Sequence, residues 1–362
     1  MTAYRVAYLP GDGVGPEVLS AARRCMDAVA ADIGFDVTWD EHPVGGIAID
    51  ALGVAVSDET VAACAAADSV LLGAVGGPQW DDPRAEVRPE QALLRLRADL
   101  ELFANLRPVR ALTALADASP LRPEVRAGAD LLIVRELTGG LYFGRPQGRT
   151  PEGAVDTCAY SRHEIERIVR LAFELATGRR GHLTSVDKAN VMATGRVWRE
   201  VVEEVSADFP DVTVEHALVD STAAALVAKP AHYDVIVTEN LFGDILSDEA
   251  AVIVGSLGLL ASASLGERST GHGRFGLYEP VHGSAPDIAG RNAANPAAAI
   301  GSVALMLRWS LGQPAAADAL ENAMQVVLEV GPRTRDLGGD ATTDQVTSAV
   351  IAQLAERSGV AA

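Results

Sequence analysis

Short apolar runs alternate along the chain with longer segments in which apolar residues recur every three to four positions. Runs such as 69–73 and Val235–Val237 predict buried strands. The segment that begins at Pro16 carries an apolar stripe, which predicts an amphipathic helix. Strands and helices that alternate in this way indicate an α/β protein with a mainly parallel sheet.

Polar residues at the edges of the helical patterns predict where helices begin. Ser57 is expected to cap a helix that runs to Ala67, and Ser161 with Glu164 has the spacing of a capping box. After the strand 235–237, Gly243 is expected to close a loop, and a helix is expected to follow it.

Length and composition narrow the classes of function. A chain of 362 residues exceeds what one hydrophobic core usually serves, so about two domains are expected. The formal net charge of -19 argues against nucleic acid or an anionic membrane surface as a partner. The start of the chain shows no signal peptide, no apolar run is long enough to span a bilayer, and the three cysteines are far apart, so a cytoplasmic protein is expected.

The first strand, 5–9, leads into a glycine loop and then a helix, a layout that invites comparison with dinucleotide-binding folds. The loop reads Gly-x-Gly-x-Gly-Pro at 11–16. The third glycine of the Gly-x-Gly-x-x-Gly fingerprint would fall at Pro16, so the Rossmann pattern fails.

Two carboxylates follow the strand 235–237. Asp244 and Asp248 are four residues apart and would share one helix face, where they repel each other unless a cation lies between them. Acidic residues near a helix start also interact well with its dipole, and spacing alone favours such an idle surface pair. Asp220, at the start of an earlier helix, has the same two interpretations.

Three arginines and a lysine stand at unusual positions. Arg107 and Arg135 are expected at the ends of strands, and Arg97 on a helix face, so they form either an anion site or ordinary surface charges. Only two lysines occur, Lys188 and Lys229. Lys188 directly follows a predicted buried strand, where a surface role is unusual.

Several stretches together resemble the isocitrate/isopropylmalate dehydrogenase family, in order and over nearly the whole chain. They read Leu-Pro-Gly-Asp-Gly-Val-Gly-Pro-Glu at 9–17, Phe-Ala-Asn-Leu-Arg-Pro at 103–108, Val-Arg-Glu-Leu-Thr-Gly-Gly-Leu-Tyr-Phe-Gly at 134–144, Val-Asp-Lys-Ala-Asn-Val at 186–191, Gly-Asp-Ile-Leu-Ser-Asp at 243–248 and Glu-Pro-Val-His-Gly-Ser-Ala-Pro-Asp-Ile-Ala-Gly at 279–290. Within the family, Glu-x-x-Leu-Leu-x-Leu-Arg at 90–97 resembles members that oxidise 3-isopropylmalate.

The resemblance implies a fold that is not Rossmann, with two α/β domains that share a large mixed, mainly parallel sheet. Residues 1–102 with 255–362 would form a cofactor-binding domain, and 103–254 a domain for dimerisation and the metal site. An arm near 138–160 would clasp a second subunit. The implied homodimer has shared active sites, because Lys188 and in part Asp220 would complete the site of the partner.

The implied reaction oxidises the C2 hydroxyl of 3-isopropylmalate with NAD, releases CO2 and gives 4-methyl-2-oxopentanoate, a leucine precursor. Neighbouring positive charge and burial would favour the neutral form of Lys188, the implied base, and Asp220 would relay its proton. Tyr142 would return a proton to the product. The implied ligands of Mg²⁺ or Mn²⁺ are Asp220, Asp244 and Asp248, and the implied substrate contacts are Arg97, Arg107, Arg135, Asp220, Leu93, Leu94, Asn190 and Val191.

The implied cofactor loop runs from 283 to 295. A carboxylate at Asp287 suits a free ribose 2′-hydroxyl, which favours NAD over NADP. The implied cofactor contacts are Glu90, His282, Gly283, Ser284, Ala285, Asp287, Ile288 and Asn295.

Two alternatives stay open. A sister enzyme acting on D-malate, tartrate or homoisocitrate would share the chemistry, although Leu93 and Leu94 favour an apolar substituent. A non-catalytic regulatory subunit on the same fold would be expected to lack Tyr142, Lys188 or one of the aspartates, and none is missing.

Overall fold

A computed structural model describes residues 2–82 and 84–357 of the chain. Its residues group into two compact units. Unit 1 contains the residues up to Leu102 and those from Gly255 onward, and unit 2 is Phe103–Val254.

The strands and helices alternate along the chain. The strands are β1 (Ala3–Gly11), β2 (Asp36–Glu41), β3 (Ser69–Ala74), β4 (Leu102–Arg110), β5 (Asp130–Glu136), β6 (Gly148–Thr150), β7 (Gly153–Val155), β8 (His182–Asp187), β9 (Thr213–Leu218), β10 (Val235–Thr238), β11 (Ala261–Ser269) and β12 (Arg274–Pro280). The helices are α1 (Gly15–Ile33), α2 (Gly46–Leu52), α3 (Asp58–Ala66), α4 (Glu90–Asp99), α5 (Pro123–Arg126), α6 (Arg162–Thr177), α7 (Ala193–Ser206), α8 (Val219–Ala228), α9 (Asn240–Val254), α10 (Ala297–Trp309), α11 (Pro314–Val330) and α12 (Thr343–Arg357).

Unit 1 is built on the strand order β2-β1-β3-β12-β11. The strands β2, β1, β3 and β12 pair in parallel, and β11 pairs with β12 in the antiparallel sense. All six residues of β3 are buried. Strands buried in this way read as continuous apolar runs, which is why the pattern at 69–73 predicted a strand.

Unit 2 is built on the order β4-β5-β10-β8-β9. The strands β5, β10, β8 and β9 pair in parallel, and β4 pairs with β5 in the antiparallel sense. Its strands β6 and β7 form a separate small hairpin. Each unit is thus mixed and mostly parallel, which confirms the predicted α/β class.

Helix caps account for several boundaries. The Ser57 hydroxyl accepts the Thr60 N–H at 3.1 Å, and Ser161 forms the complete capping box with Glu164. Both predicted caps are confirmed. Of the helices in the part of the chain that the structure describes, none has the length and apolar character needed to cross a membrane.

The helix that carries the paired carboxylates begins earlier than predicted. It starts at Asn240, so Gly243 lies inside α9 and closes no loop. Two side chains satisfy its first N–H groups, since Tyr160 accepts from Asn240 at 3.0 Å and Glu239 accepts from Phe242 at 2.9 Å. With these two side-chain caps the helix begins just after β10, without the loop that Gly243 was expected to close.

Candidate active site

Arg135 and α9 form the centre of a charged cluster in unit 2. Arg135 is only 1% exposed near the end of β5. Its Nε and Nη2 donate to Asn240 Oδ1 at 3.1 and 2.9 Å, and its Nη1 donates to Asp244. A Cβ at Gly243 would lie 2.5 Å from Arg135 Cγ, so only glycine lets the helix approach this side chain.

Arg107 links the same helix to β4. It lies inside the strand and not at its end as predicted, because β4 continues to Arg110. Its Nη1 donates to Ser247 Oγ at 2.6 Å and to Asp248 Oδ1 at 3.2 Å, while Nη2 lies 3.7 Å from Asp244 Oδ1. The two carboxylates therefore face one shared guanidinium, as their helical spacing predicts.

Tyr142 closes the cluster from the other side of Asp244. Its hydroxyl donates to Asp244 Oδ2 at 2.8 Å, and its ring centroid lies 5.7 Å from the Arg135 guanidinium carbon. Burial and the hydrogen-bonded carboxylate raise the pKa of Tyr142 to about 12. Its phenol therefore keeps its proton at neutral pH.

The two helix carboxylates differ in their electrostatics. Burial opposes the charge of Asp244, yet Arg135, the Tyr142 hydroxyl and Arg107 together hold the pKa of its carboxyl below the usual value. Burial and the charge of Asp244 raise the pKa of Asp248, with Arg107 opposing them. The two carboxylates thus differ in the sense of their pKa shifts, mainly because the arginines outweigh burial at Asp244 and do not at Asp248.

Lys188 and Asp220 form a second pair in unit 2. Lys188 follows β8, and its Nζ donates to the Asp220 carboxylate at the start of α8. This hydrogen bond lowers the pKa of Asp220. The group that contacts Lys188 is thus the negatively charged Asp220. The prediction that positive charge neighbours Lys188 is wrong for the described residues of a single chain.

Asn190 and Val191 follow Lys188 and are both exposed, with 68% of Val191 accessible. The turn is fixed by Asp187, which accepts the Ala189 N–H at 2.8 Å and two bonds of 2.9 Å from Arg199. The amide side chain of Asn190 and the apolar side chain of Val191 are thus exposed to solvent on a turn that these hydrogen bonds hold in place.

Unit 1 carries the remaining candidate substrate residues on α4. Arg97 is buried and its Nη2 donates to Glu279 Oε1 at 3.1 Å. Glu279 is the first residue of the motif at 279–290, but the sequence did not indicate this pairing. Leu94 is half-buried, whereas Leu93 packs partly against the core of unit 1. Glu90 is exposed at the first position of the helix.

The candidate cofactor loop begins at His282 in unit 1. Its Nδ1 lies 2.9 Å from the Gly283 carbonyl, while its buried Nε2 has no hydrogen-bond partner among the described residues. The Ser284 carbonyl accepts the Val14 N–H at 2.8 Å, which fixes this loop against the glycine loop after β1. Ala285 has a φ of +37°, a left-handed conformation that is unusual without a glycine.

Three loop residues differ in how free they are to bind a ligand. Asp287 is exposed, and Ile288 is half-buried. Asn295 is engaged at both ends of its amide, since Oδ1 accepts the Ala297 N–H at 3.0 Å and Nδ2 donates to Asp336 at 3.0 Å. The side chain of Asn295 therefore serves the start of α10 in this structure.

The residues present fit both a hard divalent cation and a nucleotide. Asp244 and Asp248 offer oxygen ligands that converge on one positive group, and such oxygens are what Mg²⁺ and Mn²⁺ prefer. The unpartnered Nε2 of His282 and the exposed carboxylate of Asp287, five residues further along the same loop, offer polar groups to a nucleotide.

The fold and these charged clusters define an α/β protein whose carboxylates and arginines can hold a cation and an anionic ligand. The chain belongs to the isocitrate/isopropylmalate dehydrogenase family, whose model matches residues 5–350. It is 55% identical over 355 residues to the 3-isopropylmalate dehydrogenase of Salinibacter ruber, covering 98% of this chain and 95% of that relative.

Solved structures agree with this assignment. The isocitrate dehydrogenase of Methylococcus capsulatus is 34% identical with a TM-score of 0.84, covering 97% of this chain and 99% of that one. The β-decarboxylating dehydrogenase of Thermococcus kodakarensis is 37% identical with a TM-score of 0.79, covering 98% of this chain and 96% of that one.

Proposed function

We propose that the chain is a 3-isopropylmalate dehydrogenase, which oxidises 3-isopropylmalate with NAD and releases CO2 to give 4-methyl-2-oxopentanoate in leucine biosynthesis. The observation that carries the proposal is the cluster in which Asp244 is hydrogen-bonded to Arg135 and Tyr142 and ion-paired with Arg107, because it offers both anion-binding and proton-donating groups. The near full-length similarity to the Salinibacter ruber enzyme supports the choice of substrate.

The proposed substrate carries two carboxylates, and arginine forks bind such groups through paired hydrogen bonds. Arg97, Arg107 and Arg135 would hold these carboxylates. Leu93 and Leu94 would contact the isopropyl group, with Asn190 and Val191 supplied by the partner subunit.

Asp244 and Asp248, with Asp220, would hold Mg²⁺ or Mn²⁺, and the bound cation would stabilise negative charge that develops on the substrate oxygens. Arg107 already occupies a cationic position beside both helix carboxylates. It would have to share them with the metal ion, whose two positive charges the two carboxylates of the proposed substrate would balance.

The proton steps are assigned to three side chains. Lys188 would accept the proton of the C2 hydroxyl while the hydride leaves for NAD, and Asp220, in hydrogen-bond contact with it, would pass the proton on. After CO2 is lost, Tyr142 would donate its proton to the substrate carbon. The pKa of Tyr142, raised to about 12, keeps the phenol protonated at neutral pH.

The cofactor would lie on the loop that starts at His282. Gly283, Ser284 and Ala285 would offer backbone N–H groups, and Asp287 would bind the ribose 2′-hydroxyl and repel a 2′-phosphate. The further contacts would be Glu90, Ile288 and Asn295.

The active protein would be a cytoplasmic homodimer. The hairpin of β6 and β7 supports the homodimer, because all of its strand residues are exposed and a second subunit would cover them. The solution mass, measured by light scattering, is expected to be twice that of the chain.

The substrate is tested by NAD reduction with 3-isopropylmalate, D-malate, tartrate, homoisocitrate and isocitrate, each with and without Mn²⁺. We expect a catalytic efficiency for 3-isopropylmalate at least about tenfold above the others, because an apolar pocket distinguishes alkyl groups by about 1–3 kcal/mol. An efficiency for D-malate or homoisocitrate equal to it would reject the substrate. A chain that reduces NAD with none of them would be the regulatory subunit.

The side pocket is tested by Leu94→Ala. This variant should lose about tenfold in catalytic efficiency for 3-isopropylmalate while its efficiency for D-malate stays unchanged. Leu52→Ala is the matched control, since Leu52 is 53% exposed in the same unit. Equal losses on both substrates would show that Leu94 supports the fold and not the isopropyl group.

A further inference from the structure

Three side chains from separate segments of unit 2 meet away from the candidate active site. His182 is the first residue of β8, Glu215 lies in β9, and His232 ends the short turn before β10. One potential ligand atom from each residue lies within 4.8 Å of the other two. Two imidazoles and one carboxylate are a recurrent ligand set for transition metals.

The register of the sheet explains why two of these side chains share a face. The parallel pairing of β8 with β9 places His182 opposite Thr213. Glu215 is two residues further along, and side chains two apart in a strand point to the same face. His232 then approaches from the turn, with its ring 5.5 Å from that of His182 and 5.0 Å from that of Tyr233.

A simple surface hydrogen bond accounts for only part of this arrangement. His232 Nε2 lies 2.8 Å from Glu215 Oε2, which is an ordinary hydrogen bond. His182 Nε2 lies 3.6 Å from the same oxygen, beyond hydrogen-bond distance, and its buried Nδ1 has no hydrogen-bond partner among the described residues. The imidazole of His182 is thus held beside a carboxylate to which it is not hydrogen-bonded.

The spacing of these atoms suits a tetrahedral metal ion. Ligand atoms about 2.0–2.1 Å from zinc in a tetrahedron are roughly 3.4 Å from each other. The separation of 3.6 Å between His182 and Glu215 is close to that value, and the 2.8 Å separation of His232 from Glu215 would have to lengthen by about half an ångström. Partial exposure of Glu215 and His232 leaves access from solvent.

We propose that His182, Glu215 and His232 bind a divalent transition-metal ion of the zinc class, with water in the remaining position. Nearby positive charge does not oppose this, because Arg179 and Arg180 face two carboxylates, those of Asp130 and Asp234. The ion would tie β8, β9 and the turn before β10 together.

This site is separate from the proposed catalytic cation. Lys188 follows the other end of β8, about 20 Å along the strand from His182 at roughly 3.3 Å per residue. The ligand chemistry differs as well, because imidazole nitrogen suits zinc, whereas the carboxylates of α9 suit magnesium. Excess Mg²⁺ can therefore occupy one site while zinc is measured at the other.

The test is calorimetric titration of the full chain, first treated with a chelator, with Zn²⁺ in excess Mg²⁺. We expect one zinc per chain and a higher melting temperature, because binding to the folded state alone stabilises it. His182→Ala and His232→Ala should each weaken zinc binding by at least about tenfold. His163→Ala is the matched control, since this histidine is exposed on α6.

Glu215→Gln keeps the shape of the side chain and therefore disturbs folding less than a change to alanine. The fold of each metal-free variant is compared with that of the wild type by circular dichroism. Co²⁺ in place of zinc should give the intense visible absorption of a tetrahedral site, lost in His182→Ala. Wild-type zinc affinity in both histidine variants, or no zinc bound by the wild type, would overturn the proposal. NAD reduction in Mg²⁺ should be unchanged in these variants, and the zinc titration itself uses no substrate, so failure of the proposed function and failure of the zinc site can be told apart.

Discussion

Two groups of proposed catalytic side chains in unit 2 differ in the number of contacts that their own chain provides. Asp244 contacts Arg135, Arg107 and Tyr142, and Arg135 is almost fully buried. The side chains of Lys188 and Asp220 are 25% and 63% exposed and form a pair with each other. Asp244 is itself 33% exposed but is held by three side chains of its own unit, whereas the described ion-pair partner of Lys188 is the exposed Asp220.

This difference indicates two separate physical roles. Removing Asp244 would take away a charge that compensates the buried guanidinium of Arg135, which is destabilising, so we expect Asp244 to contribute to folding as well as to the proposed chemistry. An exposed pair contributes little to stability. Lys188 and Asp220 are therefore available to a neighbouring subunit, in agreement with the proposed shared site.

The largest expected effect is that of Asp244→Asn. The change removes a proposed metal ligand and the charge that compensates Arg135, so we expect kcat to fall by about 10³-fold or more and the melting temperature to fall by several degrees. Steady-state kinetics and thermal melting measure the two effects. Glu249→Gln, on the same helix, is the control, and an unchanged melting temperature in Asp244→Asn would remove the contrast in stability.

Lys188→Met should affect activity alone. Loss of a general base typically costs about 10²–10⁴-fold in rate, while loss of an exposed ion pair should shift the melting temperature by about a degree at most. Lys229→Met is a matched control, because Lys229 is the other lysine of the chain and is exposed. Near-normal hydride transfer in Lys188→Met would reject it as the base.

A mixed dimer tests which subunit owns each group. Chains with Lys188→Met and chains with Asp244→Asn are denatured together and refolded. If Lys188 serves the site of the partner, half of the dimers regain one intact site, and about a quarter of wild-type activity returns. Each variant refolded alone is the control, and no recovery in the mixture would place both residues in one chain.

The sequence predicted the parts of this comparison that depend on local pattern. The capping box at Ser161 and the helical spacing of Asp244 and Asp248 follow from positions a few residues apart, and both are present. The likeness to a known family rested on contiguous motifs, and the family assignment is confirmed.

The remainder depends on contacts between distant segments. The start of α9 is set by Tyr160 and Glu239, one of which lies 80 residues earlier. The strand β11 was missed because its small residues carry a weak apolar pattern, although six of them are buried. Likewise, no spacing rule brings His182, Glu215 and His232 together, since the parallel register and a turn do so.

The smallest expected effect concerns Glu136, which follows Arg135 in the buried region. Burial raises the pKa of Glu136, although hydrogen bonds from Thr138 and Gly139 oppose the shift. A carboxyl whose pKa is higher in the folded state binds its proton more tightly there, so it favours folding below its unfolded pKa. That contribution is lost as the pH rises through the raised value.

Melting temperatures from mildly acidic to neutral pH measure this contribution. In Glu136→Gln the decline with pH that Glu136 causes should disappear, because glutamine does not titrate, whereas Glu164→Gln on the exposed capping box should keep the wild-type profile. A profile for Glu136→Gln that parallels the wild type would show that the hydrogen bonds cancel the cost of burial. The stability of the cluster around Arg135 would then depend on the pairing of Arg135 with Asp244, and not on the protonation state of Glu136.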